Sequence, residues 1–286
     1  MYIKPLLVIG TAALAGAVSL PSFAAEVPSR GTFALPGATE KVVAELVVRE
    51  TGPLTRELVI VFTDKTTGQP ITNFDEELAQ QLHLLATDSN FSSFVHEHPK
   101  KPGPDGSFRI EVRFPKAGLY HVYADVMPKG LGQRVVRFDV PVGDRGETTR
   151  AQQAPIGAAQ GSDGPYTVEF DPAALRAGAE SMVAMTILKD GKPATDLGLY
   201  LGVPAHAVFV NTDDLGYVHA HAMTMGAGEG SHHAEGVHAD SHMAIAAKLM
   251  LHAAPPRAGR YALWIQFMGG GTVRTVPFVV TVPPAP

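Results

Sequence analysis

Phe108-Arg109-Ile110-Glu111-Val112-Arg113-Phe114 runs into Pro115-Lys116-Ala117-Gly118 and then into Leu119-Tyr120-His121-Val122-Tyr123-Ala124-Asp125-Val126. In the first run apolar residues alternate with charged ones, the period of a strand with one buried face. Proline and glycine mark a turn, and the aromatic and β-branched residues beyond it read as a second strand. Residues 42–48 and 57–63 have the same character, Thr67-Gly68-Gln69-Pro70 supplies another turn, and residues 134–142 read as a last strand. About seven short strands in ~100 residues with regular turns predict an all-β, immunoglobulin-like sandwich. A cupredoxin-like sandwich shares that strand number and spacing, so periodicity leaves both open.

The pattern then repeats. Gly191-Lys192-Pro193-Ala194-Thr195 matches Gly68-Gln69-Pro70-Ile71-Thr72 at an offset of 123 residues. Pro256-Arg257-Ala258-Gly259-Arg260-Tyr261 matches Pro115-Lys116-Ala117-Gly118-Leu119-Tyr120 at 141, and Phe278 matches Phe138 after one further slip. The chain therefore reads as an internal duplication of one sandwich, with domains at 26–145 and 164–286. Residues 146–163, rich in Gly, Ala, Gln and Ser, read as a flexible linker, and residues 26–38 as a loose lead-in. Residues 1–25 carry Lys4, an apolar run from Leu6 to Val18 and Ser22-Phe23-Ala24-Ala25, the pattern of a secretory signal peptide. That run is too short to cross a bilayer comfortably, and no other segment is long and apolar enough. The expectation is a periplasmic or secreted protein with no membrane span once the signal is removed.

Composition excludes several classes. With 28 acidic against 23 basic residues the formal charge is −5, which argues against nucleic acid as a partner. There is no cysteine, hence no disulfide, no lipid-anchor thiol and no thiolate ligand. A blue-copper electron-transfer site needs that thiolate and is excluded. The fold must rest on its apolar cores, and a chain of this length can build two.

The histidines are the chemistry-bearing feature. His83 with His96-Glu97-His98, and His206 with His219-Ala220-His221, both spell His-x12-His-x-His across an apolar strand, an Asp- or Asn-containing turn and a second strand. Histidines two apart on a strand share a face, roughly 7 Å apart at Cα. A hairpin closing at Ser89-Asn90 sets His83 opposite His96 with Cβ atoms about 5 Å apart, and His98 diagonal to them. Closure at Thr212-Asp213 does the same for His206, His219 and His221. Three imidazoles on one face suit a transition metal. A lone strand histidine is ordinarily a surface or hydrogen-bonded residue, but here the triplet persists twice while much around it has drifted.

The step in offset from 123 to 141 places an 18-residue net insertion after His221. This loop, 222–247, carries Met223, Met225, His232, His233, His238, His242 and Met243, a mixture of imidazole and thioether suited to weak capture of several ions. Glu97, between two histidines, faces away from them, and His252 alternates with Lys248 and Met250 on an outward face. His121 reads as a hydrogen-bonded histidine, with a fourth-ligand role as the alternative.

Phe94-Val95-His96-Glu97-His98-Pro99 followed by Phe114-Pro115-Lys116-Ala117-Gly118-Leu119-Tyr120 resembles exported bacterial β-sandwich proteins of the YtkA-like kind, as does Tyr200-Leu201-Gly202-Val203-Pro204-Ala205-His206 in the second copy. The resemblance covers most of the chain after residue 25 and implies an association with copper or heavy-metal handling. The chain departs from its own first copy at Ala222, where Pro99 stands earlier, and in the His/Met loop. The first expectation is thus an exported protein that buffers or delivers copper, as Cu(I) or Cu(II), with zinc as the second ion and another exported metal-handling protein as partner. A metalloenzyme with an open three-His site is one alternative, although no general base accompanies the triplets. A non-catalytic adhesion or assembly module is the other.

Overall fold

The structure, a computed structural model, describes residues 28–33, 41–143, 156–225 and 245–285. The first domain holds β1 (Ser29–Arg30), β2 (Thr32–Phe33), β3 (Val42–Gly52), β4 (Thr55–Asp64), β5 (Phe74–Asp75), β6 (Leu82–Asp88), β7 (Phe94–Glu97), β8 (Phe108–Arg113), β9 (Gly118–Pro128) and β10 (Arg134–Val142). They form two antiparallel layers, β1-β3-β4-β8 and β2-β10-β9-β6-β7, with β5 on β9. The alternation seen in the sequence is what fills the space between them. Val42, Ala44 and Leu46 of β3 and Phe108 and Val112 of β8 are buried against Val122, Ala124 and Phe138 of the facing layer, and Phe62, Phe74 and Phe108 meet edge to face.

Residues 28–33 are not the loose lead-in the sequence implies. Ser29–Arg30 pairs with β3 in one layer, and Thr32–Phe33 pairs with β10 in the other. The chain crosses between layers at Gly31, where a Cβ would lie 2.0 Å from Val136 Cγ1. Only glycine allows so close a crossing. Gly161 has the same place in the second domain, against Val276 and Phe278.

The second domain holds β11 (Gln160–Asp163), β12 (Tyr166–Phe170), β13 (Ser181–Lys189), β14 (Lys192–Pro193), β15 (Leu197–Gly198), β16 (Ala205–Asn211), β17 (Tyr217–Thr224), β18 (Lys248–Ala253), β19 (Gly259–Gly269) and β20 (Thr272–Val282). The boundary expected at 164 falls too late, because β11 pairs with β12 and Ile156 bridges to Val279. The rest of the expected linker lies outside the described residues, as does the segment read as a signal peptide. This domain repeats the sandwich with one change: β17 pairs with β18, which joins the two layers into a single ten-stranded sheet. Ala222 is paired on both sides, with Ala205 and with Leu251. Proline lacks the N–H for such a central position, and Pro99 stands at the matching place beyond the end of β7. The expected loop therefore begins later than 222, since Ala222, Met223 and Thr224 belong to β17.

The two sandwiches pack against each other. Leu85, Tyr123 and Val135 from the first domain form one buried cluster with Val208, Val210, Tyr217, Ala262 and Trp264 from the second. Phe94 stacks on Trp264 with ring centroids 4.8 Å apart, and Tyr123 stacks on Tyr217 at 5.2 Å. Phe94 corresponds to Tyr217 in the duplication and Tyr123 to Trp264, so the two stacks are images of one another about a pseudo-two-fold axis. Equivalent patches meeting in this way is the geometry of a symmetric dimer interface, here within one chain. It explains why β6 and β16 are buried on both faces along their full length.

Candidate metal centre

β6 and β7, and β16 and β17, are the two histidine hairpins, and both turn their histidine-bearing faces toward the other domain. The register differs by two residues from the expectation. Leu85 lies opposite His96, and His206 lies opposite His221 rather than His219. Longer turns cause the shift. In the first, Asp88 Oδ1 accepts from the amides of Ser92 and Ser93; in the second, Asn211 Oδ1 accepts from those of Asp213 and Asp214. Because the displacement is even, no side chain changes face.

In the first triad His98 Nε2 lies 3.1 Å from both His83 Nδ1 and His96 Nε2, and the latter two are 3.4 Å apart. Three nitrogens bound to one tetrahedral ion at roughly 2.0–2.1 Å stand about 3.3 Å from each other, so this triangle has the size of a metal's ligand face. In the second triad His206 Nδ1 and His219 Nε2 are 3.0 Å apart, and His206, His219 and His221 group within metal-ligating distance. His221 Nε2 is buried with no hydrogen-bond partner among the described residues.

The partners of the outer ring nitrogens decide the tautomers. His83 Nε2–H donates to the carbonyl of Glu77 at 3.0 Å, and His206 Nε2–H donates to the carbonyl of Tyr200 at 2.9 Å. A carbonyl only accepts, so both rings turn an unprotonated Nδ1 inward. These carbonyls come from matching tight turns whose central residues are left-handed: Leu78 (φ 49) and Ala79 (φ 63), and Leu201 (φ 50) and Gly202 (φ 83). Side chains rarely adopt that conformation, and its retention at Leu78, Ala79 and Leu201 marks positions fixed by what they orient. His96 Nδ1 donates to Gln266 Oε1 at 2.7 Å, which leaves its Nε2 as a lone pair too. At least two of the three nitrogens in the first triangle are thus lone pairs aimed at one another. Either a proton on His98 Nε2 or a cation among the three nitrogens offsets the repulsion of those lone pairs.

Burial holds all six rings neutral, as metal ligation requires. It pushes His98 down to about 3, His206 to about 4 and His221 to about 2, and it lowers His83, His96 and His219, the last two strongly. The neighbouring imidazoles add to the effect in each case except His83, where the Glu77 carbonyl and Asp125 partly oppose it.

Two groups that matter here were not singled out from the sequence. Asp125 is fully buried on β9, bonded by Gln133 and the Tyr217 hydroxyl, and its Oδ2 lies 3.8 Å from His219 Nδ1. Burial raises its carboxyl to about 6, and burial followed by the charge of Asp125 raises Glu77 to about 7. Gln266 is the second. It occupies on β19 the place Asp125 has on β9, and each reaches across the interface to a histidine of the other domain. The alternation of β9 already put Asp125 on the face of Tyr123; what that face meets was not written locally.

The remaining sequence candidates divide. Met223 continues the face of His219 and His221 and pairs with Met250, while His221 pairs with His252 and His252 with Met182. Met182 and Met225 are exposed. His232, His233, His238, His242 and Met243 lie outside the described residues. His121 donates from Nδ1 to Asp139 at 2.7 Å, the hydrogen-bonded role expected of it, and Glu97 is exposed, pointing away from the triad.

The family described as Domain of unknown function (DUF8832) matches residues 41–144 and again 159–284. No curated protein matches. Among solved structures, the adhesin InvE of Yersinia pseudotuberculosis aligns at 11% identity over 83% of this chain and 58% of its own, with a TM-score of 0.25. S-layer protein SbsC domains 4 and 5 align at 13% over 90% and 98%, with a TM-score of 0.23. The chain thus spans little more than half of the adhesin chain, and likenesses this loose carry no functional argument.

Proposed function

The chain belongs to the family described as Domain of unknown function (DUF8832), whose description assigns no activity, and we propose from its site that it is an exported copper-binding protein that buffers or delivers the metal through its two three-His triads. The observation that carries this reading is the convergence of three ring nitrogens in the first triad, 3.1–3.4 Å apart, with the tautomers of His83 and His96 fixed from outside. Hydrogen bonding among the histidines can supply at most one proton to the three nitrogens, on His98 Nε2. Met223 and Met250, paired one step along the strand face that carries His219 and His221, add thioethers that favour copper over zinc. The His/Met loop acts as a capture arm, the leader-like residues 1–25 direct export, and another exported metal-handling protein receives the ion. The resemblance to YtkA-like proteins points in the same direction.

A metalloenzyme reading requires a carboxylate placed as a base. Asp125 is such a carboxylate by burial, but it lies on the Nδ1 side of His219, away from the Nε2 that faces His206. At 3.8 Å from Nδ1 it lies behind the ring without a hydrogen bond to it, and His219 Nδ1 has no partner among the described residues.

The test is the stoichiometry of Cu(I), Cu(II) and Zn(II) on the chain lacking residues 1–25, beside a His83→Ala/His96→Ala/His98→Ala variant and one lacking residues 226–244. Tight copper that is diminished in the triple variant and kept in the deletion supports the triads. Binding that follows the loop alone, or no tight binding, defeats the reading.

A further inference from the structure

The rings of the two triads approach each other almost as closely as rings within one triad. His83 and His219 have centroids 5.1 Å apart, His96 and His219 5.8 Å, and His96 and His206 5.9 Å, against 4.5–5.6 Å inside the first triad. One group of convergent ligand nitrogens within 4.8 Å consists of His83, His96 and His219, and so draws on both domains. Side chains cross the interface as well: Gln266 of the second domain accepts from His96, and Asp125 of the first lies 3.8 Å from His219 Nδ1.

We propose that the two triads are one dinuclear copper centre, completed only when the two domains dock, and not two independent mononuclear sites. The inference rests on the copper-binding reading above and adds that the two ions interact. The first half is incomplete without the second, because Gln266 fixes His96 and His219 joins His83 and His96 in one ligand group. Asp125 sets one buried carboxylate behind the histidines, 3.8 Å from His219 Nδ1, which offsets part of the charge of bound ions. The stacked pairs Phe94–Trp264 and Tyr123–Tyr217 flank the centre and hold its halves in place.

Electron paramagnetic resonance of the Cu(II) form distinguishes the cases, since paired Cu(II) ions at short separation lose or broaden their signal. The protein without residues 1–25 is titrated with Cu(II) to two equivalents, with bound copper measured in parallel. The expected result is two bound ions with an integrated signal well below the copper content, or with a half-field transition. His98→Ala and His221→Ala, one per triad, should each bind one ion fewer and regain an ordinary isolated-ion spectrum. Substoichiometric Cu(II) on the unaltered chain gives the same comparison without relying on a variant. Two bound ions with full, unbroadened signal would leave the copper reading standing and overturn the dinuclear centre. A single bound ion also overturns it, and no bound copper overturns both.

Discussion

At the scale of the residue, the site depends on which nitrogen of each imidazole carries the proton. Gln266→Leu removes the acceptor that fixes His96, and groups in that position are commonly worth 10–100-fold in metal affinity. A competition titration with Cu(II) should show a loss of about that size, concentrated in one of the two binding steps. An unchanged isotherm would mean that His96 is held by packing. Acid sensitivity follows from the same neutral rings. Their folded pKa values lie below the ordinary 6.5, so the unfolded chain takes up protons first as pH falls. The stability they contribute is full above that value and lost below it. Asp125 and Glu77 have the opposite sign, favouring the fold in acid and losing that contribution as pH rises through about 6 and 7. Six imidazoles outweigh two carboxylates, so the thermal midpoint of the metal-free protein should fall between about pH 7 and pH 5. A midpoint that rises over that interval would show the carboxylates to dominate.

At the scale of the element, two small positions control strand pairing. Ala222→Pro recreates in β17 the residue that follows β7. It should release the end of β17 from β18, so that the amides of Met223 and Thr224 lose hydrogen-exchange protection while β16 keeps its own. Retained protection at Met223 and Thr224 would show that the pairing does not depend on that N–H. Gly31→Ala drives a methyl into Val136 at the crossing between layers, an overpacking that should cost about 1–3 kcal/mol in urea denaturation. The strands themselves were readable from alternation, as β8 shows with Phe108, Val112 and Phe114 buried and Arg109, Glu111 and Arg113 exposed. The short pairings of residues 28–33 and 160–163 were not. Two to four residues carry too little periodicity to separate a strand from a loop, and their partners lie far along the chain.

At the scale of the whole molecule, the duplication and the docking of its halves together define the candidate site. Trp264→Ala opens the interface beneath Phe94, and truncating a buried tryptophan costs about 3–5 kcal/mol. Each sandwich keeps a core of its own, so calorimetry should resolve one transition into two, with copper affinity lost before either domain unfolds. A single cooperative transition with copper binding unchanged would mean that the interface is dispensable to the centre.

Alternation is a local property, which is why the sequence alone determined the strands, the tandem sandwiches and the shared face of each histidine triplet. Even the two-residue error in register left that face intact, since a strand repeats every second residue. Contacts between distant segments decided the rest: that His206 faces His221, that β17 reaches β18, that Gln266 accepts from His96 of the other domain, and that Asp125 is buried near His219. Such pairings depend on turn length and on which surfaces bury each other. Only the folded chain brings into contact the His83 and His219 rings, 136 residues apart in sequence.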